Sequence, residues 1–363
     1  MKIVIFGLTI SSSWGNGHAT LWRGLCRALA RQGHRIVFFE RDVPYYAATR
    51  DLETCPGGEL VLYDDWNAVL PRARRELADA DAAIVTSYCP DALAAAGLVH
   101  ERPRAVGVFY DLDTPVTLAR LAQGADVPYL GPRGLADFDL VFSYTGGTAL
   151  DLLRHRLGAR AAVPLYGHVD PDAHRPVARV PRYEAGLSYL GTYSADRQDT
   201  LTALFVGPAR RRPYCRFLIG GAQYPQDFPW SANIFFARHV APREHPAFFS
   251  SSRLTLNVTR AAMAQMGWCP SGRLFEAAAC GTALVSDVWE GLGSFFTPGR
   301  EVICARGPED TLAALDLDDA ERNRIAGAAR ERVLAEHTSA RRAAQMTAAI
   351  ERARAPMPQA VGA

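Results

Sequence analysis

The strongest constraint on the fold is a repeated alternation between short apolar runs and amphipathic stretches of helical length. The first run, residues 3–7, is followed by a loop, a helical pattern over 18–32, Gly33 and a second apolar run over 35–39. This opening predicts a βαβ unit and therefore a parallel sheet. Further runs of strand length follow at 82–85, 105–109, 140–143, 187–191, 216–220, 234–236, 254–257, 283–286 and 301–303. We therefore predict an α/β protein.

The alternation is interrupted by PLYGHVDPDAHRPVARVP, a stretch rich in proline, histidine and aspartate that begins at Pro164. Because 363 residues exceed the usual size of one domain, we interpret this stretch as a linker between two doubly wound, Rossmann-like domains that face each other across a cleft. A long amphipathic helix over 319–352 is predicted near the end of the chain. The predicted boundaries are 1–168 for the first domain, 169–185 for the linker, 186–335 for the second domain, and 336–363 for a C-terminal helix that packs back toward the first domain and a frayed tail.

The charged residues exclude several classes of protein. Lys2 is the only lysine in the chain, and it begins the first strand. A P-loop needs a lysine after its glycines and a pyridoxal-phosphate enzyme needs one for its Schiff base, so neither class fits. A net charge of +2 gives no support for nucleic-acid binding.

The cysteines and the apolar runs indicate the compartment. Seven cysteines are scattered without a CxxC pair, which favours reduced thiols and a cytoplasmic protein. No apolar run approaches the length of a membrane span, and the N-terminus does not resemble a signal peptide. The sequence is compatible with a homodimer.

The stretch WCPSGRLFEAAACGTALVSD, residues 268–287, predicts a loop, a mostly buried helix and a buried strand. Ser271 suits the N-cap, and Ser271, Gly272 and Arg273 place backbone N–H groups at a helix N-terminus, where anions bind. Glu276 lies one turn inside, where a buried carboxylate needs a partner. This arrangement suits a sugar nucleotide, with the phosphates on the N–H groups and a ribose hydroxyl on Glu276.

Other candidate residues for binding the sugar nucleotide follow predicted strands of the second domain. In open α/β sheets, ligands bind at the carboxyl ends of the strands. Arginine forms forked contacts with phosphate, although each arginine here also fits plain surface charge. The candidates are Gly191, Thr192, Arg197, Asn257, Thr259 and Arg260.

The loop SSSWGNGH, residues 11–18, joins the first strand to the first helix. Gly15 and Gly17 let the backbone approach a ligand, Trp14 suits an acceptor, and His18 sits at the helix start as a base or only as a cap. A rival interpretation is NAD binding, with Gly15-x-Gly17 as a damaged GxGxxG motif and Glu40 as the ribose acid. The missing third glycine and the long gap after the strand count against it.

Residues after the first domain's later strands are candidates for an acceptor site. Asp111-Leu112-Asp113 has the form DxD, which can hold a divalent metal, but Asp113 also suits a helix N-cap, and we expect Asp111 to be the cleft residue. No histidine, cysteine or aspartate cluster has metal-ligand spacing, so no structural metal is predicted. The remaining cleft candidates are Tyr110, Tyr144, Gly146, Gly147 and, at the start of the linker, His168.

The sequence resembles the GT-B glycosyltransferases. The segment FEAAACGTALVS is similar to their C-terminal signature, and GHVD is similar to their hinge motif. SSSWGNGHATLWRGL, ERDVPYY, YDLDTPVTL, SYTGG, LNVTR and PSGRLFEAAACG together resemble the bacterial CgeB-like (spore-maturation-protein-like) branch.

The resemblance implies that the second domain binds a nucleotide-sugar donor, that the first binds the acceptor, and that Glu276 contacts the ribose. One position departs from the family. Its E-x7-E pattern would place a first glutamate at position 268, where this chain has Trp268. The donor sugar and the retaining or inverting outcome therefore stay open, and Asn257, Thr259 or Arg260 is a candidate for that role.

The sequence thus predicts a metal-independent hexosyltransferase that needs no cofactor beyond its UDP-, GDP- or dTDP-sugar donor. The acceptor would be a hydroxyl of a small molecule or glycan, with His18 as base or donor-sugar contact and Asp111 orienting His18 or the acceptor. The alternatives are an NAD-dependent oxidoreductase that uses the first loop and a non-catalytic sugar-nucleotide binder.

Overall fold

The computed structural model describes residues 1–15, 17–101 and 104–354. The predicted frayed tail, from Ala355 onward, lies outside the described residues. By internal contacts, the chain divides into two compact units. The first unit comprises 1–12, 25–165 and the chain from 340, and the second comprises 13–24 and 166–339.

The first unit contains a fully parallel sheet of seven described strands in the order β3-β2-β1-β4-β5-β6-β7. Its inner strands are mostly apolar because helices cover both faces of such a sheet. The strands are β1 Lys2–Gly7, β2 Arg35–Arg41, β3 Glu59–Tyr63, β4 Ala82–Thr86, β5 Val106–Asp111, β6 Leu140–Ser143 and β7 Ala162–Pro164. The helices up to this point are α1 His18–Arg31, α2 Pro44–Ala47, α3 Trp66–Leu77, α4 Ala92–His100, α5 Thr114–Ala122 and α6 Thr148–Leu157.

The second unit contains a parallel sheet of six described strands in the order β10-β9-β8-β11-β12-β13. Its strands are β8 Ala185–Leu190, β9 Phe217–Gly221, β10 Ile234–Arg238, β11 Ser252–Asn257, β12 Ala283–Ser286 and β13 Ile303–Cys304. Its helices are α7 Gln198–Leu201, α8 Gly207–Arg211, α9 His245–Ser250, α10 Ala261–Met266, α11 Gly272–Ala279, α12 Pro308–Leu315 and α13 Asp319–Glu336. The predicted α/β class with two Rossmann-like sheets is confirmed.

The predicted long helix over 319–352 is wrong, because it is two helices. After α13 the chain pairs briefly with Val169, whose N–H donates to the His337 carbonyl and whose carbonyl accepts from the Ser339 N–H. This pairing needs extended backbone and so ends the helix. A new helix, α14 Ser339–Arg354, then begins, and its residues from 340 belong to the first unit, where Arg354 pairs with Asp81.

Two other elements differ from the sequence prediction. The predicted helix over 196–206 consists of a 3₁₀ turn, α7 and the π-helical turn Thr202–Val206, which continues into α8. The short strands β3 and β7 were not predicted, since β3 is only half-buried and β7 has three residues. No described helix is both long enough and apolar enough to cross a lipid bilayer.

Candidate functional site

The strand order of the second unit defines where a ligand is expected. From β8 the next strands in sequence, β9 and β10, are added on one side, whereas β11, β12 and β13 are added on the other side. β8 and β11 are therefore neighbours in the sheet, and the strand order changes direction between them. Ligands of open α/β sheets bind outside the carboxyl ends of the strands at such a switch point. The residues that follow β8 and β11, at 191–193 and 258–260, therefore border the expected site.

Arg273 is the central cation of this site. It lies in the first turn of α11, its Nη1 donates to Oδ1 of Asn257 at 3.2 Å, and its guanidinium lies 5.3 Å from the ring centroid of Tyr189. A Cβ at Gly191 would stand 2.9 Å from Nη2, so the glycine leaves room for the guanidinium. Within the described part of the chain, no carboxylate lies within 4.0 Å of Arg273.

Burial lowers the pKa of Arg273, and the positive charge of Arg197 acts in the same direction. Arginine nevertheless stays protonated in proteins because its ordinary pKa is so high. A partly buried charge without a direct ion-pair partner is costly, and a bound anion would reduce that cost.

Two further arginines that were predicted to bind a phosphate lie near the turn that follows β8. Arg197 donates from Nη2 to the Thr192 carbonyl at 2.6 Å, and its buried Nε has no hydrogen-bond partner among the described residues. Arg260 precedes α10 and donates from Nε to Oδ2 of Asp196 at 3.2 Å, with its side chain 41% exposed. The cluster thus places three partly buried arginines, Arg197, Arg260 and Arg273, around the turn after β8.

The turn after β11 is held by a carboxylate that sequence reasoning missed. Asp287, directly after β12, accepts from the Thr259 N–H at 3.1 Å and from Thr259 Oγ1 at 2.9 Å. Asn257 donates to Oγ of Ser286 at 3.1 Å, which fixes the amide oxygen that faces Arg273. Burial raises the pKa of Asp287, and the bonds from Thr259 oppose that rise. In the sequence, the position of Asp287 directly after a predicted buried strand indicates that it lies at the ligand-binding edge of the sheet.

The start of α11 matches the prediction for its backbone. Ser271 is the N-cap residue, with φ −67° and ψ 138°, and Gly272 is the first helical residue, although the Ser271 side chain makes no capping hydrogen bond. The first N–H groups of a helix have no partner within it, and the helix dipole favours an anion there. Gly281 follows the helix with φ +76°, the left-handed conformation expected at its C-terminal end.

Glu276 lies one turn inside α11 with its side chain 13% exposed. Its Oε2 is 3.5 Å from Nδ1 of His245 and 3.9 Å from Nε2 of His174. Burial alone would raise the pKa of Glu276, but His174, His245 and Arg273 outweigh burial and lower the pKa to about 2. The carboxylate is therefore ionised at neutral pH. Neither histidine was singled out in the sequence.

In the first unit, Asp111 ends β5 and is fully buried. Its Oδ1 accepts from the Asp113 N–H at 3.1 Å and from Thr117 Oγ1 at 3.2 Å, whereas Oδ2 has no hydrogen-bond partner among the described residues. Burial raises the pKa of Asp111 to about 6. Asp113 is the N-cap residue of α5.

The other acceptor candidates of the first unit occupy different environments. Tyr110 is fully buried and donates from its hydroxyl to the Leu165 carbonyl at 2.7 Å. Tyr144 is half-buried, and its N–H donates to the Asp111 carbonyl at 2.9 Å. Gly146 and Gly147 precede α6, and Gly147 has φ +58°.

The candidates of the first loop belong to the second unit by contacts. The Trp14 ring lies 4.5 Å from the His239 ring, and Gly15 has φ +69°. Gly17 accepts from the Leu21 N–H, and His18 begins α1 half-buried. His168, also in the second unit, is buried, with its Nδ1 2.9 Å from Ser339 Oγ.

Trp268, at the position of the expected first glutamate, has φ +49° and donates its N–H to the Glu290 carbonyl. A Cβ at Gly291 would stand 2.6 Å from its indole ring.

Most residues predicted to bind the donor lie at the carboxyl ends of the strands of the second sheet or at the start of α11. They are residues 191, 192, 197, 257, 259, 260, 271, 272 and 273.

Comparisons with known proteins identify the fold. The sequence matches none of the curated proteins with which it was compared. Sucrose-phosphate synthase from Thermosynechococcus elongatus is similar to this chain in structure, with TM-score 0.70, 16% identity, and coverage of 97% of this chain and 98% of that chain. Anabaena HepE in complex with UDP and glucose gives TM-score 0.66 and 13% identity, with coverage of 97% and 100%. An α-glucosyltransferase in complex with UDP and a 13-mer DNA gives TM-score 0.69 and 13% identity, with coverage of 97% and 100%.

These similarities show that the chain has the fold of the GT-B glycosyltransferases. Residues 197–348 also match the model of a protein family described as glycosyl transferase-like. The matched segment begins at Arg197 and includes the switch-point cluster from β11 to the end of α11.

Proposed function

We propose that the protein is a glycosyltransferase that moves a hexose from a nucleoside-diphosphate sugar to a hydroxyl group of a small molecule or glycan. The observation that carries this proposal is Arg273, a partly buried guanidinium that has no carboxylate within 4.0 Å among the described residues and lies at the switch point of the second sheet. A diphosphate supplies the missing negative charge. The glycosyl transferase-like match over 197–348 and the UDP in similar structures support a nucleotide-sugar ligand.

The donor side of the reaction is assigned to the second unit. As the bond between the sugar's anomeric carbon and the diphosphate oxygen breaks, negative charge grows on the diphosphate. Arg273 and Arg197, with the N–H groups at Gly272 and Arg273, stabilise that charge because they are already in place before the reaction. Arg260 adds an exposed contact. These groups let the diphosphate leave without a metal ion bound to it.

Glu276 is assigned to the ribose. Its Oε2 faces His174 and His245, and its other oxygen is the natural acceptor for a ribose hydroxyl. An ionised acceptor forms a stronger hydrogen bond than a neutral one. Gly191 and Thr192 then border the donor through their backbone.

The acceptor side is assigned to His18 and Asp111. The acceptor hydroxyl forms the new bond to the anomeric carbon, and its proton passes to a base. His18, at the helix start, is that base or, with a retaining outcome, a contact to the donor sugar. Asp111, Asp113, Tyr144 and the glycines at 146 and 147 are assigned to the acceptor.

A thermal-shift screen against UDP, GDP, dTDP and their sugars tests the proposal. A bound ligand stabilises the folded chain by about 2.7 kcal/mol at a hundredfold excess over its dissociation constant. We expect one nucleotide series to raise the unfolding temperature and Glu276→Ala to weaken its binding, with Glu309→Ala, an exposed acid of the same unit, as control. Unchanged nucleotide affinity in Glu276→Ala would contradict the ribose assignment.

Two measurements separate the alternatives. Slow hydrolysis of the donor without acceptor is expected of a transferase and not of a non-catalytic binder. Titration of NADH fluorescence tests the oxidoreductase hypothesis, which the structure does not favour because the Glu40 carboxylate is engaged by the turn at 9–11.

A further inference from the structure

Three side chains of the second unit converge although they come from separate parts of the sequence. His174 precedes β8, His245 is the first residue of α9, and Glu276 lies in α11. One nitrogen of each histidine and one carboxylate oxygen all lie within 4.8 Å of one another. Among the described residues, these form the group of histidine, cysteine and carboxylate side chains with the geometry to hold a metal ion.

The hydrogen bond of His245 fixes which of its nitrogens carries the proton. Nε2 lies 3.2 Å from the Val240 carbonyl oxygen, and a carbonyl only accepts, so Nε2 must be the donor. In a neutral ring, Nδ1 then presents its lone pair to Oε2 of Glu276, 3.5 Å away. Either a metal ion or a second proton on His245 would turn this repulsion into attraction, and titration with a metal ion distinguishes the two.

His174 supplies a second, independent observation. Its residue is 7% exposed, and neither ring nitrogen has a hydrogen-bond partner among the described residues. A buried imidazole without a partner is unusual, because buried polar groups are normally hydrogen-bonded or bound to a metal.

We propose that His174, His245 and Glu276 bind a divalent transition-metal ion, zinc foremost. Two imidazole nitrogens and one carboxylate oxygen are a common ligand set for zinc, with bonds of about 2.0–2.2 Å and a fourth position for water. Ligand atoms in a tetrahedron of that size are about 3.4 Å apart. The His245–Glu276 contact already has this spacing, and the His174–Glu276 contact is 3.9 Å. Because all three ligand atoms lie within 4.8 Å of one another, they need to approach by at most about 1.4 Å to surround an ion.

The surroundings supply the outer contacts that such a site needs. Metal-bound histidines usually donate their other N–H to a carbonyl or carboxylate, as His245 does to Val240. Binding through Oε2 leaves the other carboxylate oxygen for a ribose hydroxyl. The ion would hold Glu276 in place and would not contact the diphosphate.

The experiment uses the full chain without a histidine tag, freed of metal with a chelator and titrated with zinc and, separately, cobalt(II). We expect one ion per chain and visible cobalt absorption typical of four or five ligands. His245→Ala and Glu276→Gln should each weaken zinc binding by more than about 100-fold, since loss of an outer contact alone costs 10- to 100-fold. His155→Asn, at an exposed histidine of the first unit, is the matched control and should bind like the wild type.

Zinc binding below one ion per chain, or equal binding by wild type, His245→Ala and Glu276→Gln, would overturn the proposal. If a variant fails to fold by circular dichroism, X-ray absorption of the zinc-loaded wild type decides, because two imidazole ligands are expected and fewer would refute the site. Nucleotide binding measured on the same samples keeps the two proposals separate, since the metal site can fail while UDP-class ligands still bind.

Discussion

The two sheets have the same strand order around their switch points, but the charged groups there differ in sign and in their hydrogen-bond partners. In the first unit, the switch point lies between β1 and β4, and the chain after β1 turns back onto the Glu40 carboxylate. That carboxylate accepts from Thr9 Oγ1 at 2.8 Å, from the Ile10 N–H at 2.7 Å, and from the N–H and hydroxyl of Ser11. The negative charge is satisfied within the protein.

In the second unit, the equivalent position between β8 and β11 is occupied by a cation. Arg273 has one neutral hydrogen-bond partner, Asn257, and no carboxylate within ion-pair distance in the described residues. Gly191 adds no side chain to fill the space beside it. The difference teaches that the fold alone does not define a ligand site. The unit whose cation has no direct carboxylate contact is the one that we propose binds a phosphorylated ligand.

The substitution with the largest expected effect on this contrast is Arg273→Ala. Removal of a preorganised group that stabilises developing charge typically lowers the rate about 10²–10³-fold. We expect a loss of that order in transfer or donor hydrolysis, together with weaker binding of the nucleoside diphosphate. Steady-state kinetics with a saturating donor and isothermal titration with the free diphosphate measure the two effects.

Arg260→Ala is the matched control, because this arginine lies at the same sheet edge but is 41% exposed and paired with Asp196. Exposed ion pairs contribute about 0–1 kcal/mol, so its loss should change diphosphate affinity less than about fivefold. Equal losses in the two variants would mean that the position of Arg273 beside Asn257 has no special role, and the contrast between the units would fail.

The sequence predicts the sheets well because parallel strands buried on both faces are continuous apolar runs. β5 and β12 were visible for this reason, whereas the half-buried edge strand β3 was not. The place of Arg273 at the start of α11 was predictable because neighbouring residues in the sequence reveal where a helix begins. Asp287 and the two histidines beside Glu276 were missed, because a sequence pattern assigns a residue to an element but does not reveal a partner from a distant element.

The next test concerns Asp111, which burial holds with a raised pKa of about 6 against an ordinary 3.8. Between these values the folded state binds more protons than the unfolded state, so stability falls as pH rises from about 4 to about 6 and stays low above it. The full shift corresponds to about 3 kcal/mol. Asp111→Asn cannot ionise and should lack this pH dependence.

Urea unfolding of wild type and Asp111→Asn at about pH 4 and about pH 8 measures the effect as a difference of differences. The variant should gain about 2–3 kcal/mol relative to wild type between the two pH values. Asp137→Asn, at a more exposed aspartate of the same unit, should show no such gain. Parallel pH curves for all three proteins would mean that Asp111 is not destabilised by ionisation.

The smallest expected effect is that of Glu40→Gln, which examines the satisfied switch point directly. The new amide oxygen can still accept from the Ile10 and Ser11 N–H groups, and the amide N–H can donate to the Thr9 and Ser11 hydroxyls, which would then act as acceptors. Geometry is kept while charge assistance is lost, so we expect a loss of about 1–2 kcal/mol in unfolding free energy. Binding of nucleoside diphosphates should stay within twofold of wild type, because the Glu40 carboxylate forms its hydrogen bonds with residues 9–11 of its own unit. A variant that kept full stability but lost nucleotide binding would show that the first unit's carboxylate, and not the second unit's guanidinium, contacts the ligand.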